Sequence, residues 1–100
     1  MNIKVHSIRF DADKKLLDFI DSKLSKLPMF YDDILDAEVF LRLDKDSQER
    51  ENKVVEVKLE IKGNSLFAKK QCKTFEEAAD QATEALIKQL KKSKNKIRKK

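Results

Sequence analysis

Apolar and polar residues alternate in four stretches of the chain, and this two-residue period predicts four half-buried β-strands. In the first stretch, residues 2–8, Ile3 and Val5 share one face. The other three strands are predicted at residues 34–43, at residues 55–61 and directly after the Gly63-Asn64 pair. The wholly polar segment from Asp44 to Asn52 separates the second strand from the third and predicts a mobile loop.

The Gly63-Asn64 pair predicts a two-residue hairpin turn. Such a turn pairs Ile61 with Leu66 and Leu59 with Ala68, which places apolar residues opposite each other on one face. The same register puts Lys70 on the core face opposite Val57, a position that a lysine tolerates only at the margin of a sheet.

Two segments have the three- and four-residue spacing of an amphipathic helix. Asp13 predicts the N-cap of a helix from about Lys14 to Leu27, which Pro28 ends. Thr74 and Glu77 form a capping-box pattern before a second helix, predicted from about Phe75 into the mid-90s. Its apolar stripe comprises Phe75, Ala79, Ala82, Leu86 and Leu90.

The element order is therefore β-α-β-β-β-α. One apolar face per strand and two amphipathic helices predict an α+β fold, a two-layer sandwich in which both helices pack on one face of a four-stranded sheet. A right-handed crossover should make the first two strands parallel. We expect residues 1–100 to form a single domain whose last helix ends in the basic segment 88–100.

Charged residues are distributed unevenly along the chain, and its end is strongly basic. The net charge of the 100 residues is +5. Residues 88–100 carry eight Lys or Arg and no carboxylate, which leaves 15 basic and 18 acidic groups in the first 87 residues. The helix macrodipole favours cations only within the last turn, so it does not account for eight of them. Such a block is typical of a site for a polyanion, most often nucleic acid. A solubilising tail and a segment that binds an anionic membrane are the alternatives.

The cations are mostly lysines on helices, with few side chains able to distinguish base edges. This favours recognition of phosphate geometry and shape, and structured RNA is the natural target. The predicted RNA-binding residues are Lys23, Lys26, Lys69, Lys88, Lys91, Lys92, Lys94, Lys96 and Arg98.

Little in the sequence suggests catalysis. One glycine cannot form a phosphate-binding loop, and a single histidine and a single cysteine do not make a triad or a metal cluster. We interpret His6 as a surface residue and Cys72 as a packed side chain. We therefore expect no enzyme activity, cofactor, metal or small-molecule substrate. The first residues lack the apolar segment of a signal peptide, so we expect a cytoplasmic protein with no membrane partner.

The segments LLDFIDSKLSKL, VKLEIKGNSLFAK and EEAADQATEALIKQLKKSKNKI occur in an order and spacing that resemble the ribosome hibernation promoting factors, in their short form, and the related ribosome-associated inhibitor A. The similarity spans nearly the whole chain. The motif at the end of the last helix corresponds to Asp80, Lys88-Gln89-Leu90, Lys92, Lys94 and Lys96. The usual Asp-x-Tyr helix opening is replaced here by Thr74-Phe75-Glu76. We expect the chain to lack the C-terminal dimerisation domain of long-form members.

The resemblance implies a hibernation factor that binds the small ribosomal subunit at the mRNA and tRNA channel through rRNA and inhibits translation under stress or in stationary phase. A separate ribosome-dimerising factor is a further candidate partner. The alternative function is a general double-stranded RNA-binding module, and a second rival is an adaptor whose basic tail docks on an acidic protein or membrane.

Overall fold

The computed structural model describes residues 1–45 and 51–98, and the side chains of this set up to residue 92. Residues 46–50 of the predicted mobile loop lie outside this part of the chain. The elements are β1 (Asn2–Ser7), α1 (Lys14–Leu24), a 3₁₀ turn (Leu27–Met29), β2 (Ile34–Leu43), β3 (Lys53–Ile61), β4 (Asn64–Cys72) and α2 (Phe75–Arg98). The predicted β-α-β-β-β-α order and the α+β fold class are confirmed.

The four strands form one sheet in the order β1-β2-β3-β4. As predicted, β1 and β2 are parallel, with Val5 opposite Val39, whereas the two later pairs are antiparallel. Parallel neighbours require a crossover, and α1 provides it. The sheet therefore has two edge strands, β1 and β4.

The helices pack together on one face of the sheet and run in the same direction. Phe10, just before α1, stacks on Phe75 at the start of α2 with ring centroids 5.1 Å apart. Phe30, just after the 3₁₀ turn, lies under Lys91 in the second half of α2. The C-terminal ends of both helices consequently lie at the same end of the molecule.

The core lies between the helices and the inner face of the sheet. Ile20 and Leu24 of α1, Val39 and Leu59 of the sheet, and Leu86 of α2 are each at most 1% exposed. Burial of such side chains stabilises the fold by about 1.5–3 kcal/mol each. The small residues Ala78, Ala79 and Ala82 of α2 are also buried, which allows the helix to lie close to the strands.

The N-caps agree with the sequence. Asp13 Oδ1 accepts a hydrogen bond from the Leu16 N–H at 2.8 Å, and Thr74 Oγ1 accepts one from the Glu77 N–H at 3.1 Å. Each bond satisfies a donor that the first helical turn leaves unpaired.

The predicted C-terminus of α1 was wrong by three residues. The α-helix ends at Leu24, and the chain continues through the 3₁₀ turn that contains Pro28. Pro28 has no N–H to donate to the Leu24 carbonyl four residues earlier, and its ring would clash with that carbonyl, so the α-helix cannot continue through Leu27. Leu27 is nevertheless fully buried, because the 3₁₀ turn keeps it in line with the apolar stripe of α1.

The predicted hairpin register was wrong by two residues. The turn residues are Lys62 and Gly63, and Leu59 pairs with Leu66 and Val57 with Ala68. Gly63 has φ +82°, a conformation that favours glycine, and it takes the second turn position instead of the first. Because the error is an even number of residues, the side chains still face as predicted.

Two residues of the core face lie at its margin. Lys70 pairs with Val55, not Val57, and is only partly buried because β4 is an edge strand. Leu43, which continues the alternation of Val39 and Leu41, is 41% exposed at the end of β2. On the edge itself, Gln89 Nε2 of α2 donates a hydrogen bond to the Phe67 carbonyl of β4 at 3.0 Å. This contact covers one acceptor that an additional strand would otherwise pair with.

Candidate nucleic-acid interface

The second half of α2 presents a row of lysines on the side away from the core. Leu86 and Leu90 are fully buried beneath the helix, whereas Lys88, Lys91 and Lys92 are exposed, as the helical period predicts. Within the described part of the chain none of these three ammonium groups has a carboxylate within 4.0 Å. We refer to Lys88, Lys91 and Lys92 as the lysine row.

Lys91 is the member of the lysine row that contacts the segment following α1. Its Nζ lies 5.4 Å from the centroid of the Phe30 ring, within the range of a cation–π interaction. Phe30 is the C-cap of the 3₁₀ turn, and Lys26 is the exposed N-cap of the same turn. The fold therefore places Lys26 on the segment that lies beside the lysine row, although the two are more than 60 residues apart in sequence.

Lys23 is less available to an external anion. Its Nζ is 2.9 Å from Asp80 Oδ1 of α2 and 5.4 Å from the centroid of the Phe19 ring. The side chain is 29% exposed and that of Asp80 49%, so solvent reaches the pair. Lys23 thus bridges the two helices, a contact that no local pattern in the sequence indicates.

The charge on the helix layer changes along α2. Acidic residues occupy its first part: Glu76, Glu77, Asp80 and Glu84. The lysine row and the ends of α1 and its 3₁₀ turn occupy the other part. The helix macrodipole favours Lys23, in the last turn of α1, but it does not reach the lysine row, which lies more than one turn before the end of α2 at Arg98. The surface is therefore polarised, with its positive end where the two helices end.

Lys69 does not join this surface. It lies on the opposite, helix-free face of the sheet, where its Nζ is 4.0 Å from Glu56 Oε1. Because side chains alternate between the two faces along β4, Lys69 points to the other face of the sheet from Ala68 and Lys70. The backbone at Lys94, Lys96 and Arg98 belongs to α2, but their side chains are outside the described set, so their part in RNA binding stays a prediction.

The remaining candidates for chemistry are separate from one another. His6 lies on the surface, as interpreted from the sequence; its Nε2 is 3.1 Å from Glu38 Oε2, and its ring stacks on that of Phe40 with centroids 5.0 Å apart. Cys72 is buried, as predicted, and burial together with the charges of Glu77 and Glu51 raises the pKa of its thiol. Among the described residues no three His, Cys, Asp or Glu side chains are grouped to hold a metal ion. In the same set, no helix has the length and apolar character needed to cross a membrane.

The comparisons with known proteins agree with this fold. It is similar to a ribosomal subunit interface protein from Coxiella burnetii, with a TM-score of 0.84 and 20% sequence identity, covering 95% of this chain and 99% of that one. It is also similar to the N-terminal domain of Protein Y from Thermus thermophilus, with a TM-score of 0.78 and 24% identity, covering 92% and 98% of the two chains. No curated protein matches the chain closely in sequence.

A family model identifies the class of protein. Residues 3–98 match the model described as Sigma 54 modulation protein / S30EA ribosomal protein, and the chain belongs to this family. The family is one of ribosome-associated factors and is not known as an enzyme family. The resemblance to hibernation factors that the sequence motifs suggested is thereby confirmed.

Proposed function

We propose that this protein is a hibernation factor that binds the small ribosomal subunit, occupies the channel used by mRNA and tRNA, and inhibits translation under stress or in stationary phase. Its location would then be the cytoplasm, where ribosomes work. The observation that carries the proposal is the lysine row, three exposed cations with no carboxylate partner within the described residues, in a chain that belongs to a ribosome-associated family.

Unpaired lysines on one helix face repel one another. Lys88 and Lys92 are four residues apart, a spacing at which like charges destabilise a helix by about 0.2–0.5 kcal/mol. A bound polyanion neutralises the lysines and so removes this repulsion, and the release of counterions from its phosphates adds to the free energy of binding. The lysine row is therefore more stable when a phosphate backbone is bound to it than in the free protein.

The chemistry of the surface favours shape over sequence. Lysine is a flexible point charge and lacks the rigid planar fork of donors with which arginine recognises base edges, so its contacts go mainly to phosphates. The α2 helix has 24 residues, and at 1.5 Å per residue it spans about 36 Å. A rigid element of this length, basic at one end, matches the spaced phosphates of a folded RNA such as rRNA. Inhibition would follow from occupancy of the channel, with no reaction catalysed.

Sedimentation with purified ribosomal subunits tests this proposal. The protein should co-sediment with the small subunit in a sucrose gradient at near-physiological salt, and it should reduce translation in a reconstituted system in proportion to the bound fraction. A generic double-stranded RNA-binding module would instead bind an arbitrary RNA duplex as tightly as it binds the subunit. An adaptor would bind anionic vesicles or an acidic protein and leave the subunit fraction empty.

A further inference from the structure

The helix-free face of the sheet contains a cavity of about 630 Å³. It lies at the edge where β1 and β2 end and β3 begins, lined by residues that include Ile8, Leu43 and Val54. The helices begin at this edge, and the lysine row lies toward the opposite one. The cavity is therefore separate from the proposed ribosome-binding surface, and its volume is typical of a site for a small organic ligand.

The polar lining of the cavity is mainly cationic. Among the described residues, it contains four cations, Arg9, Arg42, Lys45 and Lys69, and one carboxylate, Asp44. Outside the lining, the single carboxylate of Glu56 serves both Arg42, its close partner, and Lys69, at 4.0 Å. Asp44 and Glu56 are therefore two carboxylates against four cations, so among the described residues the cavity keeps a net positive charge that suits an anionic ligand.

The backbone brings Arg9 into the cavity at a conformational cost. Ile8 continues the pairing of β1, since its N–H donates to the Leu41 carbonyl at 2.9 Å. In an extended chain Ile8 and Arg9 would point to opposite faces, yet both line the cavity. Arg9 achieves this with φ +66°, a left-handed conformation that is unfavourable for a residue with a Cβ. Strained residues of this kind occur preferentially at functional sites.

An apolar surface accompanies these charges. Ile8 and Leu43 are 40% and 41% exposed, and Leu43 reaches the cavity from the end of β2, at the margin of the core face. Val54, on the side of the sheet that carries Arg42, is only 2% exposed and forms the buried floor beneath them. Asp44 Oδ2 accepts a hydrogen bond from Gln71 Nε2 at 3.2 Å and adds fixed polar groups to the lining. The cavity thus combines apolar side chains, on which a flat ring could lie, with cations that suit a phosphate.

We propose that this cavity is a second, nucleotide-binding site. The base lies against the exposed parts of Ile8 and Leu43, above the buried Val54, and its phosphate is bound by Arg9 and Arg42, with Lys69 adding charge. The ligand is one nucleoside phosphate, either a free nucleotide or a nucleotide of an RNA strand. The site does not include the lysine row, so a result that contradicts the nucleotide site does not contradict the proposed ribosome binding, and the reverse is also true.

An NMR titration of the full chain tests the site. Adenosine 5′-monophosphate and a single-stranded adenosine pentanucleotide are added in parallel, with inorganic phosphate as a third titration. Saturable shifts of the Ile8, Leu43 and Val54 signals with the monophosphate assign a free nucleotide, and tighter binding of the pentanucleotide at the same signals assigns an RNA segment. Absence of these shifts with both nucleotides at millimolar concentration overturns the proposal. So does an identical response to inorganic phosphate, which would mean a site for any anion.

The variant Arg9→Gly separates binding from folding. Glycine accepts the left-handed conformation, so the unfolding midpoint should stay the same or rise, whereas nucleotide affinity should fall roughly tenfold or more with the loss of a charge-assisted hydrogen bond. The control Lys58→Gln removes a cation from the same face outside the cavity and should change affinity less than about twofold. Undiminished binding in Arg9→Gly contradicts the proposal. Pentanucleotide binding that is lost in a variant of the lysine row but kept in Arg9→Gly also contradicts it, since the helix would then be the site.

Discussion

The lysine row can be removed as a unit. In the triple variant Lys88→Gln, Lys91→Gln, Lys92→Gln each glutamine keeps most of the aliphatic stem and a good helix propensity. The three side chains point away from Leu86 and Leu90, so the core keeps its packing. The variant should therefore differ from the parent mainly in charge.

The expected change in stability is small and can be worked from the geometry. Removing the cation–π interaction between Lys91 Nζ and the Phe30 ring costs about 0.5–1 kcal/mol. Relief of repulsion between Lys88 and Lys92 returns about 0.2–0.5 kcal/mol. The net destabilisation is at most about 1 kcal/mol, and the midpoint of thermal unfolding should fall by no more than about 4–8 °C, as measured by circular dichroism.

The expected change in binding is larger and depends on salt. Each lysine that no longer neutralises a phosphate reduces the slope of log affinity against log salt concentration by about 0.7–0.9. If all three lysines bind phosphates, the slope for small-subunit binding should become shallower by roughly 2–3. Fluorescence anisotropy with labelled protein at several salt concentrations measures both the affinity and this slope.

A second triple variant serves as a charge-matched control. Lys4→Gln, Lys15→Gln and Lys58→Gln remove the same number of exposed cations, two from the helix-free face and one from the start of α1. Its subunit affinity should stay close to that of the parent. Equal weakening in both variants would refute a localised interface, and weaker binding with an unchanged slope would mean that the lysine row acts through packing.

Three further predictions rest on single residues. Asp80→Asn removes the carboxylate that holds Lys23, so small-subunit affinity measured by anisotropy should rise, and an unchanged or lower affinity would show that Lys23 is not at the interface. Gly63→Ala meets no atom within 4 Å, so denaturant unfolding should show only the backbone cost of a left-handed alanine, about 1–2 kcal/mol, and a cost near zero would contradict the turn geometry. Burial raises the pKa of the Cys72 thiol above its ordinary 9.0, so the unfolded chain loses this proton at a lower pH than the folded protein does. The free energy of unfolding should therefore decrease as pH rises past about 9, and the decrease should be smaller in Cys72→Ala. An equal decrease in both proteins would contradict this prediction.

Local patterns in the sequence predicted most of the fold. The alternation in β1 to β4 identified which side chains face the core, and Asp13 and Thr74 marked the starts of both helices. These features depend on neighbours within one or two turns. The hairpin register failed because two turns of equal length fit the same apolar pattern, and only the φ of Gly63 distinguishes them.

The candidate site was predicted less completely, because it depends on contacts between distant segments. The helical period correctly put the lysine row on the exposed side of α2. It could not show that Lys23 is paired with Asp80 or that Phe30 lies under Lys91. The position of Lys69 on the helix-free face follows from the alternation of β4 itself, and the prediction of RNA-binding residues did not use it. Phe30 follows the 3₁₀ turn, and no local pattern in the sequence links it to Lys91.

The most direct test of the central claim is competition on isolated small subunits. Labelled protein is bound at near-physiological salt, and mRNA with tRNA is added in one series and an arbitrary RNA duplex in another. We predict that mRNA and tRNA displace the protein at concentrations that fill their own sites, and that the duplex does not. Displacement by the duplex at the same concentration, or continued binding beside mRNA and tRNA, would contradict occupancy of the channel.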